Sequence, residues 1–306
     1  MKERTALWFK QPTKLNDQIR FLGTHELCHY LVQGDVAMIV GCGMNHVTPA
    51  LESQFNELDI DPATVKYAVV THSHFDHMGA IPYLRKRFPK IQVLGTAAAQ
   101  TALAKPKVVD YNARMNDVAA QQLGLDGDCT PLQGMPPEVF AVDRVVSEGE
   151  LIDLGAGITA QFLEVPGHSK CCVATYIPGL RALFPTDTTP HPVEEWNDLA
   201  FPSAQYDFSA YLASLRRLND LDVDIVGLDH HGVIQGGDAK EFLELGLRRT
   251  LELQQHVLNQ YSLSQDIDQI SREVAEEALE KVSLPFINGD LMFIITRAMI
   301  RSIVAA

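Results

Sequence analysis

The chain has 306 residues, of which 46% are hydrophobic and 21% are charged, and its formal net charge at pH 7 is -14. This length and composition are typical of a globular protein with one large domain, or a domain with an appendage, and they exclude a disordered or fibrous chain. The negative charge argues against a nucleic-acid partner, because nucleic-acid binding depends on Lys and Arg that neutralise phosphates.

The chain shows neither a membrane segment nor an export signal. No stretch has the uninterrupted apolar run of a membrane span, and the N-terminal segment lacks the apolar core of a signal peptide. The cysteines show no CxxC spacing and are too sparse for a secreted disulfide scaffold, so we predict reduced thiols at Cys28, Cys42, Cys129, Cys171 and Cys172. A cytoplasmic protein without a membrane partner is expected.

Strands and helices are predicted to alternate in the first part of the chain. Short apolar runs broken by Gly between residues 19 and 41 predict β-strands joined by tight turns. The segment "TPALESQFNEL" predicts a helix with Pro49 in its first turn. A strand is predicted at Lys66–Val70, then a helix in "AIPYLRKRFP", then a strand in "IQVLG".

The middle of the chain predicts helices followed by a second group of strands. Residues 96–124 predict two helices that break at Pro106, with Val109, Tyr111 and Val118 among the inward apolar positions. Strands are predicted in "LIDLG", "ITAQFLEV", "VATYIPG" and "RALFPTD". A helix at 208–219 precedes a final strand in "VDIVGLDHHG".

After Gly237 the pattern becomes helical. Asp238 and Glu241 have the spacing of a capping box, and further helices are predicted at 265–282 and 289–304. We therefore predict a domain of strands and helices over residues 1–237 and a helical extension over residues 238–306. The extension is expected to pack near the functional site or to form the interface of a homodimer.

The segment "THSHFDHMGA" carries the strongest chemical signal. His72, His74, Asp76 and His77 fall within six positions, directly after an apolar run. In an extended segment His72 and His74 point the same way, and a turn after Phe75 brings Asp76 and His77 to a neighbouring point. Crowding four such groups is costly unless they bind metal, so the segment predicts two adjacent metal sites.

Further ligand-type residues follow apolar strands elsewhere. They are His168 in "EVPGHSK", Asp187 in "LFPTDTT", and the pair His230 and His231 in "VGLDHHGV". Each lies in a loop containing Gly or Pro, as expected for a site assembled above a rigid sheet. The isolated histidines are predicted to be structural or surface residues: His25, His29, His46 and His256.

In this order the motifs resemble the metallo-β-lactamase superfamily over about residues 19–237. The resemblance implies an α/β fold, an αββα four-layer sandwich with a C-terminal helical extension, and a site for two divalent metal ions at one edge. Zinc is expected, with iron or manganese as alternatives. It implies that the ions are held by seven residues: His72, His74 and His168 for the first, Asp76, His77 and His230 for the second, and Asp187 bridging both.

Two features of the ligand set need comment. Without a gap against the family motif, His230 is the last ligand, and a one-residue shift would make it His231; we expect His230. Gly41 stands where the family often has a carboxylate that supports the ligands, so this support must come from elsewhere. Cys171 replaces a common Gly, and it and Cys172 are expected to be buried and inert.

The resemblance implies hydrolysis by a bridging hydroxide that attacks an acyl carbonyl, with Asp76 both ligating metal and orienting the hydroxide. The motifs and the helical tail look similar to the 2-aminobenzoylacetyl-coenzyme-A thioesterases of the superfamily. We therefore expect a small-molecule thioester or related ester as substrate, with His191, Trp196 and Tyr206 as substrate-binding residues. A lactonase or other carboxylic ester hydrolase is one alternative, and a metal-containing regulatory protein with little hydrolysis is another.

Overall fold

Two seven-stranded sheets form the centre of the computed structural model, which describes residues 7–281 and 284–306. The strands are β1 (Leu7–Phe9), β2 (Thr13–Lys14), β3 (Ile19–Gly23), β4 (Cys28–Gln33), β5 (Ala37–Val40), β6 (Val65–Val69), β7 (Gln92–Gly95), β8 (Arg144–Val145), β9 (Leu151–Gly155), β10 (Ile158–Glu164), β11 (Val173–Ile177), β12 (Ala182–Phe184), β13 (Ile225–Gly227) and β14 (Val233–Gln235). One sheet has the order β2-β3-β4-β5-β6-β7-β8, and the other β1-β14-β13-β12-β11-β10-β9.

Eight α-helices are described. They are α1 (Thr48–Glu57), α2 (Ile81–Arg87), α3 (Ala97–Leu103), α4 (Pro106–Gln122), α5 (Phe208–Asn219), α6 (Gly237–Ser264), α7 (Ile267–Lys281) and α8 (Gly289–Ala305). None of these helices is both long enough and apolar enough to span a membrane.

Side-chain alternation along the strands produces the layers. In β4, Tyr30 and Val32 lie in the core between the sheets, whereas Leu31 points to the opposite face, as the two-residue period of a strand requires. From the facing sheet, Phe162 and Phe184 complete the inner core. The two sheets therefore pack face to face.

Helices cover both outer faces. Residues of α1 to α4 pack on the outside of the first sheet, and residues of α5 and α6 pack on the outside of the second. The last helices, α7 and α8, pack on α5 and α6 through apolar residues such as Val274 and Ile300. This arrangement confirms the predicted αββα sandwich with a C-terminal helical extension.

Two details of the predicted helices were wrong. Tyr111 and Val118 of α4 are exposed, and the buried face of this helix carries Asn112 and Asn116 instead. Asp238 does not cap α6, because the helix begins at Gly237, after Gly236, without a side-chain cap. The predicted break at Pro106 is confirmed, since α4 begins there. Residues 1–6 and 282–283 of the predicted ranges lie outside the described residues.

Gly232, which links the last site loop to β14, provides a test of the packing at the site edge. Its φ is +88°, and a Cβ there would lie 2.1 Å from the Phe9 carbonyl oxygen. We expect Gly232→Ala to lower the free energy of unfolding by about 2 kcal/mol or more, through backbone strain and this clash. Denaturant unfolding measures the effect.

Gly134 is a matched control for this substitution. Its φ is +84°, and a Cβ there would meet nothing within 4 Å. Gly134→Ala therefore reports the cost of the backbone conformation alone, about 1 kcal/mol. Equal losses in the two variants would show that the Phe9 contact does not constrain the loop.

Candidate metal centre

The loop after β6 positions the first ligand-type residues. This loop runs from the end of β6 to a short 3-10 turn at Phe75–His77. Two asparagines one turn apart on α4 hold its backbone: Asn112 Nδ2 donates to the Ser73 carbonyl oxygen at 2.9 Å, and Asn116 Nδ2 to the Phe75 carbonyl oxygen at 2.6 Å. These two hydrogen bonds from α4 fix the backbone of the loop.

Three imidazole nitrogens converge at the first point of this site. His72 Nε2 lies 3.1 Å from His74 Nδ1 and 3.2 Å from His168 Nε2, and the last two nitrogens are 2.9 Å apart. His168 arrives from the loop after β10 on the other sheet. We name these residues the first triad.

A second triad lies beside the first. Asp76 Oδ2 is 3.4 Å from His77 Nε2 and 3.5 Å from His230 Nε2, and the two histidine nitrogens are 3.3 Å apart. His230 comes from the loop between β13 and β14. Each triad thus joins residues from both sheets.

Asp187 lies between the two triads. Its Oδ2 atom is 3.6 Å from His72 Nε2, 3.4 Å from His168 Nε2 and 3.3 Å from His77 Nε2. Its other oxygen, Oδ1, is buried and has no hydrogen-bond partner among the described residues. The carboxylate is therefore shared by both triads, the position of a bridging ligand.

The donor set fits divalent metal ions. A tetrahedral ion with metal–nitrogen distances of about 2.0–2.1 Å holds its ligand atoms about 3.3 Å apart, close to the spacing in both triads. Nitrogen lone pairs at this spacing repel one another unless a cation lies between them. Each triad by itself is a group of donors close enough to hold one ion, and Asp187 forms a third such group with His72 and His77.

Hydrogen bonds behind the rings direct the ligand atoms inward. His72 Nδ1 lies 3.2 Å from Thr186 Oγ1, and His168 Nδ1 lies 2.7 Å from the Ser203 carbonyl oxygen. His230 Nδ1 contacts the Glu26 carbonyl oxygen. With Nδ1 as the donor, Nε2 presents its lone pair to the site, as in known metal-binding histidines.

The pKa shifts agree with this role. Burial lowers the pKa of His74 to about 3, and burial also lowers the pKa of His72 and His168, so that these rings are neutral at pH 7. Burial opposes ionisation of Asp187, but the charge and the hydrogen bond of His77 hold its pKa well below the usual range. Neutral imidazoles and ionised carboxylates are the forms that bind metal.

His77 behaves differently because three carboxylates surround it. Burial alone would lower its pKa, but Asp76 and Asp187, with a hydrogen bond to Asp229, raise the pKa well above the usual value. A cation at the second triad therefore has to displace a proton from this ring. Since protonation competes with the metal, affinity at this triad is expected to rise with pH.

The structure places His230, and not its neighbour, at the second triad. His231 has a left-handed backbone with φ of 70°, and its ring stacks edge-on against His25 with a centroid distance of 5.2 Å. A one-residue shift thus changes which side chain enters the site, as expected at the end of a strand.

An apolar cavity of about 270 Å³ opens onto both triads. His74, Asp76 and His230 lie on its metal side, together with His191, whose Nε2 is 4.0 Å from Asp187 Oδ1. The opposite wall comes mainly from the C-terminal helices and the segments beside them: Ala278, Leu284, Ile287, Leu291, Met292, Ile294, Ile295, Thr296 and Met299. The helical extension therefore forms a wall of the cavity.

Of the three predicted substrate-binding residues, only His191 lines this cavity. Trp196 packs in the core between the second sheet and its covering helices, with Leu199 and Phe242. Tyr206 is 54% exposed and is not among the described residues that line the cavity. Trp196 therefore has a packing role, and Tyr206 lies at the protein surface.

Cys171 and Cys172 are buried beside the first triad without entering it. The Cys171 sulfur accepts a hydrogen bond from the Ser73 amide at 3.3 Å. Burial raises the pKa of Cys172, whose sulfur lies 3.1 Å from Ser169 Oγ. No disulfide involves the cysteines, all of which fall within the described residues.

Sequence reasoning missed the residues that support the ligands. Asn112 and Asn116 are unfavourable helix residues four positions apart, which is a signal for side-chain bonds to a neighbouring backbone. Asp229, directly before His230, is 3% exposed and lies against His77. A carboxylate at the end of an apolar strand was the only sequence signal for this position.

Together, the fold and the seven converging donors define an α/β protein with a candidate two-metal centre. The chain belongs to the metallo-beta-lactamase superfamily, whose family model matches residues 24–230. The predicted superfamily membership is thereby confirmed.

The chain is also similar to individual proteins of known sequence or structure. The metallo-beta-lactamase fold-containing protein ST1585 of Sulfurisphaera tokodaii is 26% identical over 218 residues, covering 70% of this chain and 75% of the relative. The probable metallo-hydrolase YqjP of Bacillus subtilis is 24% identical over 213 residues, 66% of each chain. The sec-alkylsulfatase Pisa1 of Pseudomonas sp. shares the fold with a TM-score of 0.67 at 15% identity, covering 96% of this chain and 50% of Pisa1.

Proposed function

We propose that the protein is a dinuclear metal-dependent hydrolase that cleaves a thioester or related ester with an apolar acyl group. The observation that carries the proposal is the apolar cavity of about 270 Å³ that opens directly onto both triads. Its helical wall offers aliphatic and thioether side chains to the substrate, and its inner end offers ligands for two metal ions.

The lining of the cavity favours a neutral reacting group. Among the described residues, no Lys or Arg lines it. Sulfate and phosphate esters are usually held by such side chains, through charge-assisted hydrogen bonds. An acyl carbonyl needs no fixed cation beyond the metal ions, so a carboxylic ester or thioester suits this cavity better than the sulfate ester named for the alkylsulfatase.

The two triads and Asp187 would hold two divalent ions, which would supply activation of water and polarisation of the substrate carbonyl. Zinc is the ion we infer, with iron and manganese as alternatives that the same donors accept. The other steps belong to the side chains of the chain itself.

Asp76 is the proton acceptor in this scheme. Burial opposes its ionisation, but His77 and His230 hold its pKa well below the usual range, so the carboxylate is ionised at pH 7. It lines the cavity and accepts a proton as water adds to the acyl carbonyl. As the carbon–sulfur or carbon–oxygen bond breaks, Asp76 returns this proton to the leaving sulfur or oxygen, which gives the carboxylic acid and the thiol or alcohol.

His191 is the candidate for orienting the substrate. Burial lowers its pKa to about 4, so the ring is neutral, and its Nδ1 is buried without a partner among the described residues. A neutral imidazole in this position donates a hydrogen bond to the substrate without competing for metal.

The predicted homodimer and the cytoplasmic location stay predictions.

A substrate panel tests the proposal. The metal-loaded protein is assayed with acyl-coenzyme-A thioesters of increasing chain length, lactones, aryl carboxylic esters, alkyl sulfates and phosphodiesters. We expect the highest kcat/KM with a thioester or ester that has an apolar acyl group. Preference for lactones would favour the lactonase alternative, and no turnover at full metal occupancy would favour a regulatory role.

A further inference from the structure

One buried carboxylate lies directly behind the second triad. Asp229 is 3% exposed, and its Oδ2 accepts a hydrogen bond from Thr71 Oγ1 at 2.7 Å and lies 3.1 Å from His77 Nδ1. The same residue is anchored through its backbone, because its carbonyl oxygen accepts a hydrogen bond from the Cys28 amide at 2.8 Å. Both the position and the direction of this carboxylate are therefore fixed.

The arrangement determines which nitrogen of His77 faces the second triad. Thr71 Oγ1 also lies 3.4 Å from His77 Nδ1, but its proton goes to the carboxylate at the shorter distance. His77 Nδ1 is then the donor to Asp229, so Nε2, which faces Asp76 and His230, is the atom that can bind a cation once its own proton is displaced. A carboxylate in this place also makes the ring a stronger ligand.

The loop that follows β5 provides no substitute for Asp229. Gly41 and Gly43 have φ values of +96° and +29°, and a Cβ on Gly43 would lie 2.5 Å from the His29 ring. His29 itself is fully buried, so its ring occupies the space that a side chain from this loop would need. Support for His77 therefore comes from the opposite sheet, through the strand end that also carries His230.

We propose that Asp229 is the positioning residue of the second metal site, setting the tautomer and orientation of His77 so that this site, and not the first, depends on it. The inference rests on the two-metal centre of the proposed function. The first triad has separate supports, since Thr186 backs His72 and the Ser203 carbonyl backs His168. Loss of Asp229 should thus weaken one ion selectively.

Stepwise zinc titration of the metal-free full-length protein against a competing chelator tests the proposal. For the unsubstituted protein we expect two ions per chain. In Asp229→Asn, the first ion should bind with unchanged affinity and the second about 10- to 100-fold more weakly. Asp229→Ala should have a larger effect on the same ion. Selective loss of one ion is a readout that a general loss of stability does not produce.

Two control variants separate positioning from folding. Asp117 is another buried carboxylate, and it accepts hydrogen bonds from the Leu132 and Gln133 amides. Asp117→Asn should lower stability and leave both affinities unchanged. Thr71→Val should weaken the second ion, whereas Thr71→Ser, which keeps the hydroxyl, should restore its affinity.

The outcomes distinguish this inference from the proposed function. Equal weakening of both ions in Asp229→Asn, or no weakening, would overturn the positioning role even if the unsubstituted protein hydrolyses esters. Selective weakening of the second ion would support it even if no ester in the panel were cleaved. A chain that binds only one ion before any substitution would also overturn it.

Discussion

Replacing His72 and His74 together with alanine is expected to remove the first metal ion and to lower hydrolysis by at least about 10³-fold, the scale of losing an essential catalytic group. Both side chains belong to the first triad, and only His168 and the shared Asp187 would remain there. Elemental analysis of the purified variant measures the metal, and ester turnover measures the activity.

The matched control replaces two histidines outside the triads. His46 and His256 do not belong to any of the donor groups found among the described residues. Alanine at both positions should leave metal content and turnover close to those of the unsubstituted protein. Unchanged metal content in the His72 and His74 variant would show that the ligand assignment is wrong.

Filling the apolar cavity is expected to have the second large effect. Ile295 of α8 is partly buried and lines the cavity opposite the metal side. Ile295→Trp places extra volume where the acyl group is expected, so we predict a fall in kcat/KM of about 10- to 100-fold for long acyl chains, on the scale of changing a few buried methylene groups. Short acyl chains should be affected less, and metal content should stay unchanged.

Leu263→Trp provides the control for this variant. Leu263 is 83% exposed on α6 and is not among the described residues that line the cavity. The same added side chain at this position should leave the chain-length preference unchanged. A uniform loss of activity across all acyl lengths in Ile295→Trp would indicate that α8 does not form the acyl-binding wall.

The fold was predictable because local patterns and packing agree along most of the chain. The helix at Phe208–Asn219 and the break before Pro106 follow from apolar spacing and from the lost amide of proline, and the structure confirms both. The inward face of α4 was not predictable in this way. Asn112 and Asn116 are buried on this face because they donate hydrogen bonds to the loop that carries the ligands. The spacing of apolar residues gives no sign of such bonds.

The ligand-type residues of the site could be predicted from the sequence, whereas the residues that support them could not. His72, His74, Asp76 and His77 are clustered in the sequence, and ligand chemistry alone identifies them. Residues that act through a ligand leave a weaker signal, because their partners come from the other sheet. Asp229 contacts His77 only when the two sheets are packed together, so its role could be identified only from the three-dimensional structure.

The cavity also depends on tertiary packing. His191 lies four residues after Asp187 and was predicted from this position, but the same reasoning also chose Trp196 and Tyr206, which do not line the cavity. The wall opposite is built by α7 and α8, about a hundred residues further along the chain, and its residues differ from other apolar helix positions only in what they face. Sequence periodicity cannot distinguish a pocket wall from a core.

Anomalous diffraction from crystals of the metal-loaded protein tests the central claim most directly. We predict two peaks per chain, one within the first triad of His72, His74 and His168, and one within the second triad of Asp76, His77 and His230. The Asp187 carboxylate should lie within bonding distance of both. No peak at these positions in a folded protein at full metal occupancy, or peaks bound by other residues, would contradict the account.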